Sequence, residues 1–292
     1  MGGDDLGSDD EFLTGQVVDD EEDDKFDFAQ ESKQKKSVLA ASTVAVIDDD
    51  NDDTKKKRKR DEEESATSGG SKQSKTGNRH KMLVTAGRTL EQETTENQST
   101  FLWTCLVHHH QLKSGQDEET AEKALAPKLQ PFHFIPPSTT TPSTTTFEAR
   151  LRHCLPSMKQ VKTWKHRQSP LCIIVCVSAR RAVQVLKEIR GLKTRAAKLF
   201  AKHLTVEEQT SWLQQTPFAV AVGTPHRLAI LAGKNALNLK QTRLVVLDAH
   251  TDQKGFTVCT LPDTAPHCME FVRDWVLPAV KERPKQLKLA FC

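Results

Sequence analysis

From residue 171 onward, short runs that are apolar at every position alternate with stretches in which apolar residues recur every three or four positions. A strand open to water on one side alternates apolar and polar residues. An unbroken run such as 171–177 (LCIIVCV) must therefore be covered on both faces. The runs 218–222, 244–247 and 287–291 read the same way, and 196–200 is a further strand. Between them, 182–189, 206–213, 227–232 after Pro225, and 268–280 carry helical spacing. Upstream, Phe147, Leu151, Cys154, Leu155, Met158 and Val161 also fall at helical spacing, with Pro156 placed to bend that helix. Strictly alternating strands and helices predict an α/β domain over 147–292, with one mainly parallel sheet and helices on both faces.

The chain before this domain is of another kind. Residues 1–54 hold 18 Asp and Glu against 4 Lys, whereas residues 147–292 hold 24 Lys and Arg against 10 acids. With no tyrosine and little apolar content, residues 1–80 cannot bury enough surface to offset ordering entropy and are expected to be a disordered acidic tail. Within it Lys55, Lys56, Lys57, Arg58, Lys59 and Arg60 form an uninterrupted basic hexamer, the pattern an import receptor reads as a nuclear signal. The region 81–146 is expected to be a helical or looped extension ending in a Ser/Thr/Pro linker over 136–146, with short helices at 101–107 and 118–125 packing on the domain. His108, His109 and His110 read as a solvated turn, because adjacent histidines lack the spaced partners of a metal site. No run reaches the ~18 apolar residues of a membrane span and the N-terminus lacks a secretory signal, so an intracellular protein with seven free thiols is expected.

In parallel sheets, ligands meet the loops that follow the strands. Three such loops carry recognisable residues. The first runs through Val177, Ser178, Ala179, Arg180, Arg181, Ala182, Val183 and Gln184; the second through Gly223, Thr224, Pro225, His226 and Arg227; the third through Asp248, Ala249, His250 and Thr251. Their order resembles the first RecA-like domain of DEAD-box RNA helicases, whose PTRELAxQ and TPGR segments hold the RNA backbone and whose acid box serves magnesium and water. Ser178, Ala182 and Gln184 match the first pattern, with Ala179 and Arg180 in place of its Arg and Glu. Thr224, Pro225 and Arg227 match the second, with His226 in place of glycine.

The third loop lacks catalytic residues: Ala249 stands where the resembled family has its water-polarising glutamate, and Thr251 where it has the last aspartate. Only Asp248 remains of the acid box. Loss of such a group costs on the order of 10²-fold in rate. No GxxxxGK[ST] segment is present; Ser143, Thr144, Thr145 and Thr146 precede the helix at Phe147 without glycine or lysine.

Further stretches account for these losses together: Lys198, Leu199, Phe200, Ala201, Lys202, His203; Leu237, Asn238, Leu239; Asp252, Gln253, Lys254; and Leu287, Lys288, Leu289. With Gly223, Thr224 and Pro225, they are similar to the Cms-one family of nucleolar small ribosomal subunit assembly proteins. That resemblance implies a single degenerate RecA-like (P-loop NTPase-like) sheet behind a disordered tail, no cofactor, and residence in the nucleus and nucleolus. The partners it implies are pre-ribosomal RNA and early small-subunit pre-ribosomal proteins.

The residues expected to touch RNA are Ser178, Arg180, Arg181, Lys202, His203, Gly223, Thr224, Pro225 and Arg227. A hydroxyl, exposed helix-start amides and a guanidinium together make an anion site. Trp164, Trp212 and Trp275 are expected to pack, not to stack on bases. The expected function is non-catalytic RNA association in ribosome biogenesis; the alternatives are an RNA-dependent ATPase and a pure protein adaptor.

Overall fold

The computed structural model describes residues 89–137, 146–202 and 204–292, all within one compact unit, Ser68–Cys292. The acidic tail, the basic hexamer Lys55–Arg60, residues 138–145 of the linker, and His203 lie outside the described residues.

Five strands form one sheet: β1 (Cys172–Val175), β2 (Ala196–Leu199), β3 (Val220–Gly223), β4 (Leu244–Leu247) and β5 (Lys288–Phe291). The order is β2-β3-β1-β4-β5 and every pairing is parallel. Successive side chains leave opposite faces, so each strand contributes to two cores. Ile173, Val175, Leu199, Val245, Leu247 and Leu289 enter one cluster, whereas Cys172, Ile174, Val222, Leu244, Val246 and Ala290 enter the other. The all-apolar runs are thereby explained.

The second face is covered by α3 (Phe147–Cys154), α4 (Met158–Lys162) and α5 (Ala179–Glu188), through Phe147, Leu151, Val161, Ala182 and Val185. Pro156 separates α3 from α4, so the bend expected there is a complete break. The first face is covered by α6 (Val206–Gln215), α7 (Pro225–Gly233) and α8 (Ala265–Phe271), through Leu213, Leu228, Leu231, Cys268 and Phe271. A π turn at Val272–Val276 leads from α8 into α9 (Leu277–Glu282). Pro278 cannot donate to Asp274 and its ring crowds that carbonyl, which accounts for the widened turn.

The helices before residue 147 share the domain's core. A 20-residue helix, α1 (Thr95–Ser114), and the shorter α2 (Glu118–Leu125) contribute Phe101, Leu102, Leu106 and Leu125 to the cluster that holds Ile173 and Val245. The Phe101 and Phe134 rings both meet Phe291, at 5.9 and 6.3 Å between centroids. His108, His109 and His110 are a half-exposed part of α1 and not a turn. Thr94 caps its start, and Gly115, at φ 71°, ends it by donating to Gln111 O at 2.8 Å. After α2, Ile135 N donates to Leu289 O at 2.9 Å, adding a bridge along the outer edge of β5. All seven cysteines are free, and among the described residues no helix is long and apolar enough to cross a membrane.

Candidate nucleic-acid interface

In-register pairing sets Val175 opposite Gly223 and Leu247, Leu199 opposite Gly223, and Leu247 opposite Phe291. The three motif loops therefore emerge at one edge of the sheet, the edge formed by the strands' carboxyl ends.

At the first loop, Ser178 caps α5 by accepting from Arg181 N at 3.2 Å. Arg180 in the first turn is exposed. Arg181 is 8% exposed and turns inward, a correction to its expected place on the RNA face. Its Nε and Nη2 donate to Asp248 Oδ2 and Oδ1 at 2.8 and 3.1 Å, and its Nη1 donates to Glu188 Oε1 at 3.1 Å. The Phe147 ring lies 5.6 Å from the guanidinium carbon. Burial works against the charge, but the hydrogen bonds and charge of Asp248, with Glu188, outweigh it and hold Arg181 above its usual pKa.

Asp248 is 1% exposed, and besides both arginine contacts its Oδ1 accepts from His250 N at 3.3 Å. The magnesium that an acid box serves does not fit here, because a fixed cation already occupies the carboxylate on both oxygens. Ala249 is buried and donates to Cys292 O at 2.6 Å, while His250 is exposed and Thr251 half-exposed. Nearby, the Cys176 thiol is pushed well above its usual value by burial and then by Asp248, so it stays protonated.

The second loop is tied to β2 by backbone contacts. A Cβ on Gly223 would sit 2.5 Å from Leu199 O, so that position has a packing reason to be glycine. Thr224 N donates to the same carbonyl at 3.1 Å, while the Thr224 side chain makes no cap bond to α7; Pro225, at the helix's first turn, is buried. Arg227 is the second correction. It is 8% exposed, its Nη1 donates to Leu204 O at 2.9 Å and Gln209 Oε1 at 2.8 Å, and burial lowers its pKa. Gln209 in turn donates from Nε2 to Lys198 O and Phe200 O at 2.7 and 3.1 Å. The pair therefore fastens α6 and α7 to the end of β2. Lys202, in the turn before α6, is exposed.

Arg180, Lys202, His226 and His250 thus remain open to solvent on this edge, with Thr224 half-exposed, whereas Arg181 and Arg227 are interior fasteners. Position along a motif locates a residue on a loop but does not say which way its side chain turns. The signal that could have revealed the Arg181 pairing was Asp248 itself, a lone acid at the end of an apolar strand, which demands a buried cation. The tryptophans Trp164, Trp212 and Trp275 are partly buried and packed on the two clusters.

The chain is 29% identical to Protein CMSS1 of Xenopus laevis over 140 residues, covering 47% of this chain and 50% of that one. It is 38% identical to Protein CMS1 of Chaetomium thermophilum over 104 residues, 34% of this chain and 41% of that one. It is 30% identical to human Protein CMSS1 over 139 residues, 47% and 50%. The chain thus spans about half the length of the curated relatives it matches.

Among solved structures it is similar to a chain of a Saccharomyces cerevisiae complex of a Dbp5 variant bound to Nup159, a Gle1 variant, IP6 and ADP. That likeness has 16% identity and a TM-score of 0.37, over 64% of this chain and 45% of that one. A family described as "CMS1: U3-containing 90S pre-ribosomal complex subunit" matches residues 41–291, nearly the whole chain beyond its acidic start. With an α/β core built as above and a match of that extent, the chain belongs to the CMS1 family of pre-ribosomal complex subunits.

Proposed function

We propose that this protein is a non-catalytic, RNA-associated ribosome-biogenesis factor of the early small-subunit pre-ribosomal particle. It enters the nucleus through the Lys55–Arg60 run and works in the nucleolus. Its partners on this reading are pre-ribosomal RNA and particle proteins, and no nucleotide cofactor takes part.

The observation that carries the non-catalytic part is the buried Arg181–Asp248 pair at 2.8 and 3.1 Å. It consumes the acid-box carboxylate that would otherwise serve magnesium, and Ala249 beside it has no group to polarise water. RNA association is supported by the family's description and by the basic surplus of residues 147–292. The test is phosphate release from ATP with structured RNA present, alongside RNA retention at rising salt. The proposal expects no release above background and retention that falls steeply with salt; release stimulated by RNA would favour the ATPase reading. The inward turn of Arg181 and Arg227 favours a protein adaptor as the second reading. That alternative expects RNA retention to be absent while particle association persists.

A further inference from the structure

In a parallel sheet the segments that lead into the strands share one edge, opposite the motif loops. Register sets Cys172 beside Val220 and Leu244, Ala196 beside Val220, and Leu244 beside Lys288. Hydrogen bonds knit these leading segments together. Arg243 N donates to Leu171 O at 2.8 Å, Gln241 N to Ser169 Oγ at 2.9 Å, and Arg283 Nη1 to Thr242 O at 3.1 Å. Thr194 Oγ1 donates to Val161 O at 3.3 Å, joining the entry to β2 to α4.

This edge is strongly basic. The entry to β1 exposes Lys159, Lys162, Lys165 and Arg167, and the entry to β2 exposes Arg190, Lys193 and Arg195. The entry to β4 adds exposed Lys240 and half-exposed Arg243, and that to β5 adds half-exposed Arg283 and exposed Lys285. No Asp or Glu occurs in 157–171, 189–195, 216–247 or 283–292; Glu282 stands beside the β5 entry, and Glu148, which lies against Gly191 at the β2 entry, is paired with Arg152.

Several cations elsewhere are matched: Lys113 by Glu270, Lys123 by Glu119, Arg152 by Glu148, Lys234 by Glu207 and Arg273 by Asp274. Among the described residues, no cation of the basic edge belongs to such a pair. Arg243 and Arg283 bond only to neutral groups, Gln286 Oε1 and backbone carbonyls, and burial followed by the charge of Arg243 holds Arg283 below its usual pKa. The fold thus gathers like charges from four distant segments without compensating them, at a cost in self-repulsion.

We propose that this edge, formed by the amino ends of the strands, is the surface that grips the phosphodiester backbone of RNA. The claim deepens the RNA-associated reading and rests on it, but moves the contact away from the helicase-like loops. Four inter-strand steps of about 4.8 Å give a belt roughly 19 Å wide, enough for several successive phosphates. Its chemistry favours RNA over a protein partner. The large apolar side chains exposed among the described residues are Leu112, on α1, and Phe132, whose ring at the β5 margin has Lys288 5.7 Å from its centre. Phe132 therefore stands at one end of the belt, and the middle of the belt has no exposed large apolar side chain of the kind on which protein interfaces centre. The carboxyl-end loops, by contrast, set Arg180, Lys202 and Lys254 against Asp252 and Asp263, nearly in balance.

The experiment uses the full chain, a structured RNA fragment and a salt series. The variants are the quadruple K162Q/R167Q/R195Q/K240Q on the basic edge and the double R180Q/K202Q on the opposite edge; all six side chains are exposed, and unchanged melting controls for folding. Losing four phosphate contacts should lower the slope of log affinity against log salt by about 3 to 4 and weaken binding on the order of 100-fold near 50 mM salt, with the double variant within about threefold of wild type. A double variant that loses binding while the quadruple keeps it would overturn this assignment and leave the RNA-associated reading standing. A wild-type chain that ignores RNA but binds polyglutamate would overturn both.

Discussion

A buried carboxylate tolerates ionisation only with a fixed partner, and the Arg181–Asp248 pair meets that condition with two parallel hydrogen bonds. Removing one member leaves the other charged and dry. Arg181→Ala or Asp248→Ala is therefore expected to cost about 3 to 5 kcal/mol by chemical denaturation, whereas the joint R181M/D248L change should come close to neutral. Equal losses in the single and joint variants would refute the pairing. Gly223 offers a steric counterpart. A methyl there meets Leu199 O at 2.5 Å, so Gly223→Ala should destabilise by roughly 1 to 3 kcal/mol without touching any charge. Titration adds a third prediction. His109 is held below its usual value by burial, with Arg273, Lys113 and His108 acting the same way and Glu270 opposing, and burial then Lys288 do the same to His133. The unfolded chain then takes up protons first, near pH 6.5, so stability is full above that pH and declines as pH falls through it. Melting at pH 5.5 should lie below melting at pH 7.5, and His109→Gln should narrow the gap; a higher melting point in acid would contradict the assignment.

At the scale of elements, the strands were legible in the sequence because runs such as 218–222 and 244–247 are apolar throughout, as a doubly covered sheet requires, while the apolar run 228–232 was told apart as helix by Pro225 before it. Helix α1 was legible only in part. Its apolar stretch 101–107 stood out, but the polar turns on either side are helical because Thr94 and Gly115 cap them and Gln98 bonds to Leu90 O and Glu93 O. Since Phe101, Leu102 and Leu106 line the same core as Ile173 and Val245, a fragment starting at Phe147 should not fold cooperatively. Circular dichroism and a thermal scan of 147–292 decide this; a sharp transition matching the full chain would show that the first helices are dispensable. Leu102→Ala in the full chain should cost about 2 to 5 kcal/mol.

Across the whole molecule, the two edges of the sheet have diverged. The motif loops were readable as a group because each follows a strand, yet motif matching could not tell that Arg181 and Arg227 serve the interior, since their partners Asp248 and Gln209 lie far along the chain or on another helix. The basic edge was hidden for a related reason: its cations come from segments separated by tens of residues, and only parallel pairing of the strands brings them side by side. On the proposed reading, the fold holds RNA by charge and takes no nucleotide. RNA affinity measured across a salt series, with and without magnesium and ATP, tests it most directly. The account predicts a steep linear fall of log affinity with log salt that ATP does not alter; an affinity that ignores salt, or that ATP shifts severalfold, would contradict it.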